Sequence, residues 1–427
     1  MKNVVLLLTG AFALSAIAVP TVSDVTVSQP SGRPAIVVSY RLTGDAAAIV
    51  TATVITNSST GAGFAAGEVR TVTGDLNRRV RATTGAERRE FTWDWRKDIP
   101  RDIALPEGVS VRVRAWALDA PPPVMVVDPA GTADDVCFYV STNALPKPVS
   151  DVVYKREKIL LVRIPAGDTA SVLGSPTGQY QRGADEVQHL VTISDDFYIG
   201  VYPVTCDQYK RWTGACPRDW SAQTEEFHEM PVFGVSYDTL RGSTALGIDW
   251  PQTGHEVAEG SVLWTLRDRT GVDFDLPTEA QWEFACRAGT TAATYVGDNS
   301  SAANVGKVAW NYNNAVSSRK PINSRIYYPY AVGQKQPNDF GLHDILGNCF
   351  EWCLDWYGDY PAGCSFDDVG PKSGEKRVRR GGSYANSYYQ CTASGRFPVV
   401  PSDSGEAGSF SGESYGFRLV CPAAFSF

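Results

Sequence analysis

Alternation with a period of two runs through the first third of the chain and then stops. In VSVRVRAWAL, Val109, Val111, Val113 and Ala115 alternate with Ser110, Arg112, Arg114 and Trp116. Successive side chains of a strand point to opposite faces, so this pattern predicts a strand with one buried and one wet face. Residues 35–42, 48–55 and 91–95 read the same way, and several such runs between turn signals predict an all-β, immunoglobulin-like sandwich. The region contains no histidine and only one cysteine, Cys137, so it offers neither a metal cluster nor a nucleophile with a base. It reads as a spacer or adhesion module. Pro121-Pro122-Pro123 is one candidate for its end, but the apolar run VMVV that follows is compatible with the sandwich, so the boundary is set at 147/148.

From 148 to 427 the pattern is that of a few helices among many loops. VTCDQYKRW and LPTEAQWEFACRAG each carry a Thr with a Gln three residues later, Thr205 with Gln208 and Thr278 with Gln281, which fits two capping boxes. In the second helix Ala280, Phe284 and Ala285 share a stripe with Trp282 and Cys286 nearby, and Gly289 stands where a C-terminal cap is expected. With 11 Trp and 39 Gly, a compact domain low in regular structure is expected, held by aromatic burial.

Residues 1–18 read Lys2, an apolar run from Val4 to Leu14, and Ala16-Ile17-Ala18, the order of a secretory signal, with a short membrane anchor as the alternative. No other stretch is long and apolar enough to span a bilayer, so a secreted, periplasmic or cell-surface protein is expected. The mature part holds all nine cysteines, and an odd one must stay free or pair between chains. Net charge is -8, and the one basic cluster, Lys376, Arg377, Arg379 and Arg380, is too short for a nucleic-acid footprint.

GLHDILGNCFEWCLDW, residues 341–356, gathers two carboxylates that could share a cation, Asp344 and Glu351, with two thiols and three aromatic rings. Gly347-Asn348 signals a bend that would let Asp344 and Glu351 converge, either on an oxygen-seeking cation such as calcium or as two solvated acids. Cys349 and Cys353 lack redox spacing, and His343 has no histidine cluster beside it.

In order along the chain, FYIGVYPVT, LPTEAQWEFACRAG, PNDFGLHDILGNCFEWC, RVRRGGSY and YGFRLV resemble the formylglycine-generating enzyme, or sulfatase-modifying factor, family over roughly 164–421. The resemblance implies an α+β, C-type-lectin-like fold with bound calcium. It places one calcium loop on Asp344, Gly347, Cys349 and Glu351, and a second site on Asn304 and Val305. The family's oxidases hold copper(I) with two cysteines five residues apart after RGGS, where this chain has Asn386 and Cys391. Copper(I) prefers soft thiolates, so an amide removes one arm of that site. Cys391 and Ser383 carry catalysis only if the protein is an oxidase. The resemblance otherwise implies a Cys353–Cys391 disulfide and a non-oxidising, calcium-stabilised binding protein. Its ligand face would comprise Tyr384, Asn386, Ser387, Tyr388, Tyr389 and Gln390, and its ligand a protein, peptide or glycan. The remaining alternatives are a formylglycine-forming oxidase on exported sulfatases and a structural subunit of a self-assembling extracellular array.

Overall fold

A computed structural model describes residues 19–30, 35–44, 47–56, 69–82, 87–98, 109–217, 225–243, 256–318, 329–361, 363–405 and 414–425. The signal sequence expected at 1–18 lies outside these residues. The chain divides into two compact units, Met1–Ala117 and Leu118–Phe427.

In the first unit a four-stranded antiparallel sheet runs in the order Thr21–Ser28, Ile36–Thr43, Arg89–Trp93, Val72–Gly74, and a three-stranded one in the order Arg78–Arg81, Ala47–Thr56, Val109–Trp116. All four alternating runs meet strands, and the run 91–95 ends on a short helix, Trp95–Asp98. Ile36, Val38, Tyr40 and Leu42 of one sheet and Ala48, Val50 and Ala52 of the other join Phe91 and Trp93 in a single apolar core. Burying each large ring contributes roughly 2 to 3 kcal/mol. On the wet face of the last strand Arg114 lies 3.6 Å over the Trp116 ring, which explains a tryptophan at a polar position.

The second unit mixes short helices with several small sheets. Its largest sheet is antiparallel, in the order Val420–Pro422, Phe197–Gly200, Ile159–Ile164, Val124–Val127, Val136–Tyr139. The VMVV run is therefore a buried strand of this unit, with Val127 paired to Ile159 across the boundary expected at 147/148. The division after Ala117 lies close to the proline run instead. A strand covered on both faces shows no alternation, so VMVV carried no mark of which unit owned it.

Both capping boxes form: Thr205 heads the helix Cys206–Thr213, and Thr278 heads Glu279–Arg287. The second helix ends on Ala288, left-handed at φ +46°, one residue before the glycine expected to cap it. EWC sits in the strand Phe350–Trp356, flanked by Arg377–Arg380 and Tyr415–Gly416 in a sheet whose other edge is Phe397–Val399.

Candidate functional site

Strand alternation in Phe350–Trp356 sends Glu351 and Asp355 toward the helix Glu279–Arg287. Trp282 Nε1 donates to Glu351 Oε2 at 2.7 Å, and Asp355 Oδ2 accepts from the Glu279 N–H at 2.7 Å. Facing them, Arg380 bonds Glu283 and lies 3.2 Å from Glu279, Arg396 pairs with Glu279 at 2.7 Å, and Arg287 pairs with Glu283 at 2.7 Å. Burial pushes the Glu283 carboxyl up, but Arg287, Arg380 and the Gly174 N–H outweigh it, so it lies below its ordinary value. The RVRR cluster is thus buried, with Arg380 turned onto carboxylates that the helix pattern does not reveal and Arg377 and Arg379 against the Leu354 and Phe397 carbonyls.

The loop before this strand is built on three residues with positive φ, Asp344, Gly347 and Asn348. Only glycine fits at 347, because a Cβ would come 2.3 Å from the Trp310 carbonyl oxygen. Asn348 straps the loop by donating to the Tyr330 carbonyl at 3.0 Å and accepting from its N–H at 2.8 Å. Gly347 N donates to Gly381 O at 2.8 Å and Tyr384 N to Asn348 O at 3.1 Å, so main-chain hydrogen bonds join this loop to the RGGS segment.

Neither carboxylate of the expected calcium loop is solvated. Asp344 is buried, accepts from Gly333 N at 2.6 Å, and makes no ion pair among the described residues. Burial pushes its carboxyl up to about 6, against the pull of the Gly333 N–H and Arg418. Asp344, a buried carboxylate with no ion pair among the described residues, is the kind of oxygen ligand taken by calcium. Glu351 fits it poorly: Arg418 Nε lies 3.2 and 3.1 Å from its two oxygens, and Trp282 takes Oε2 as well. Cys349 is buried beside Gly416, with its thiol raised well above the ordinary value by burial and by Glu351. The second expected site is not assembled. Asn304 Oδ1 accepts from Lys307 Nζ at 2.9 Å, and the Val305 carbonyl accepts the N–H that caps its own helix. Among the described residues no three His, Cys, Asp or Glu side chains converge as a metal cluster. His343 packs against Tyr202, and burial lowers its pKa, so it is neutral.

Copper(I) does not fit the segment after RGGS. The Asn386 amide oxygen is occupied by the Ser383 hydroxyl at 2.7 Å and the Ser383 N–H at 3.0 Å, closing a tight turn. Cys391 Sγ contacts the Ser383 and Ser387 carbonyls at 3.9 and 4.0 Å, and burial pushes its thiol up to about 12. The disulfide expected between Cys353 and Cys391 is not formed, and both are thiols. Cys353 feels Asp355, Glu279 and Arg380, and Cys391 Sγ lies against the Ser383 and Ser387 carbonyls.

The expected ligand face is rearranged. Tyr384 is buried with Ala315 and Tyr330, Asn386 is spent on its turn, and Gln390 Oε1 accepts from Ser387 N at 3.1 Å. Tyr388 and Tyr389 remain half-exposed. Tyr389 stands edge-on to Tyr388 at 5.5 Å and to Tyr180 at 6.1 Å. Asn299 Nδ2 donates at 2.9 Å to the carbonyls of both Tyr180 and Tyr389. Tyr180 and Asn299 have no marker in the sequence, because nothing local to either links it to residue 389.

The arrangement defines a family. A model of the sulfatase-modifying factor enzyme 1-like domain matches residues 158–423, more than half of the chain, and the protein belongs to that family. Among its relatives, the chaperone protein LppX of Paenibacillus barcinonensis is 29% identical over 46% of this chain and 72% of its own length. The formylglycine-generating enzyme of Mus musculus is 25% identical over 55% of this chain and 69% of its own length. Of solved structures, Treponema denticola variable protein 1 aligns at 25% identity and a TM-score of 0.45, over 62% of this chain and 95% of its own.

Proposed function

We propose that the protein is an exported binding protein of this family that is stabilised by calcium and does not oxidise sulfatases. The immunoglobulin-like unit then acts as a spacer. One observation carries the reading: where a second thiolate would be needed beside Cys391, position 386 holds an amide whose oxygen is committed to Ser383. Copper(I) chemistry needs two thiolates, and this pair supplies one sulfur and an amide. The name of the murine relative favours an oxidase, and the chemistry of positions 386 and 391 weighs against carrying that activity over.

The decisive assay incubates the purified protein with a Cys-x-Pro-x-Arg peptide, copper(I) and oxygen. No aldehyde is expected, and a hydrazide-reactive product would overturn the reading. Calcium is checked separately by melting with and without chelator. Occupancy at 100 times Kd adds about 2.7 kcal/mol, so chelator should lower Tm, and Asp344→Ala should erase the difference.

A further inference from the structure

We propose that Tyr180, Tyr388 and Tyr389 form a platform for a neutral carbohydrate, held in place by Asn299; this rests on the binding-protein reading and names its ligand class. Tyr180 is 44% exposed and comes from a loop more than 200 residues before Tyr388, so the platform is assembled by the fold and is not a local cluster. Tyr389 stands at 82° to one neighbour and 89° to the other, which leaves a corner of ring faces and edges. The face of an aromatic ring is electron-rich, and a pyranose presents a flat patch of weakly positive C–H groups that matches it.

Beneath the rings Asn299 is 1% exposed. Its two amide hydrogens fix the Tyr180 and Tyr389 backbones, so the platform is organised before any ligand arrives. Its carbonyl oxygen is enclosed and has no hydrogen-bond donor. A buried acceptor in that state marks a site completed by an ordered water or a ligand hydroxyl. Sugars bring many hydroxyls.

The segments carry acids as well as amides: Asp298, beside Asn299, accepts from Ser300 N at 2.8 Å, and Glu186 accepts from Ser394. Gln179 Nε2 donates to Ser394, and Asn313 Oδ1 accepts from Tyr388 N. Arg182, in the same loop as Tyr180, turns away onto the Ser175 and Glu186 carbonyls. Rings with amides and hydroxyls, and the loop's arginine withdrawn, suit a neutral polyhydroxylated ligand better than an anionic one.

The test exposes the full-length exported chain to an array of neutral hexose and N-acetylhexosamine oligomers beside sulfated and uronic-acid oligomers, and to a displayed peptide library. Binding to neutral oligomers is expected. Tyr180→Ala and Tyr388→Ala should each weaken it about tenfold, while Tyr180→Phe retains it and the Tm of Tyr180→Ala stays at the wild-type value. Preference for acidic oligomers, or neutral binding indifferent to Tyr180→Ala, would overturn the inference. Peptide binding that needs Tyr388 but not Tyr180 would overturn it while leaving the binding-protein reading intact. Silence on both arrays would remove both.

Discussion

The two units solve the problem of a stable interior in opposite ways. The first buries Ile36, Val38, Phe91 and Trp93 against one another, so its core is apolar. The second encloses Arg241, Arg380 and Arg418 completely, and pairs them with Asp275, Glu283 and Glu351. Apolar burial is non-directional and tolerates repacking, whereas a buried ion is stable only while its partner is present. The second unit's sheets are short and joined by many loops, and directional ion pairs and arginine–carbonyl bonds tie those loops to the apolar interior. Arg380 alone donates to the carbonyls of Ala393, Ser394 and Gly395.

The sharpest way to break this contrast is to remove one charge. Arg380→Ala takes one of two arginine partners from each of two buried carboxylates, Glu279 keeping Arg396 and Glu283 keeping Arg287, and should cost about 3 kcal/mol, the lower end for a broken buried pair. Urea unfolding read by hydrogen exchange in peptides of the second unit measures it. A loss under about 1 kcal/mol would mean that the network is incidental. In the first unit Phe91→Ala opens a cavity, and a loss of about 3 to 4 kcal/mol is expected from peptides of that unit. There the deficit should shrink when a neighbouring side chain is enlarged, whereas no apolar enlargement should rescue Arg380→Ala.

The second unit should also respond to pH through Asp355. Burial raises its carboxyl far above the ordinary value, helped by Glu279 and Asp368 and opposed by the Glu279 N–H and Arg396. The folded state therefore binds this proton more tightly than the unfolded chain. Above the unfolded value of about 4, stability falls as pH rises, by up to about 1.4 kcal/mol per unit, until the folded value is passed. Asp355→Asn mimics the protonated acid, so it should flatten that slope and stabilise the protein at pH 7. An unchanged slope in Asp355→Asn would place the titration elsewhere.

How legible each unit was in sequence follows from the same contrast. Period-two alternation is local, so strands 36–43 and 109–116 could be read to within a residue or two. Ion pairs such as Arg396 with Glu279, 117 residues apart, are not local, and an arginine in RVRR looks the same whether it faces water or a carboxylate. The loop from Asp344 to Glu351 was half legible: its bend showed in Gly347-Asn348, but the claim of Arg418 on Glu351 did not. The substitution at 386 was visible as a residue, whereas its use as a clamp on Ser383 required the turn to be seen.

The smallest expected effect tests a feature of the second unit that was local enough to be read directly. Thr278 caps the helix that carries Glu279 and Glu283 by accepting from Gln281 N at 3.0 Å, while Gln281 returns a bond to Thr278 N at 3.1 Å. Thr278→Ala leaves one N–H of the first turn without its acceptor and should cost about 1 kcal/mol by urea midpoint. If the helix only filled space, the loss would stop there. Because the helix positions both carboxylates against Arg380 and Arg396, Thr278→Ala combined with Arg396→Ala should cost more than the sum of the two. Additivity within about 0.3 kcal/mol would show that the cap and the ion network act independently.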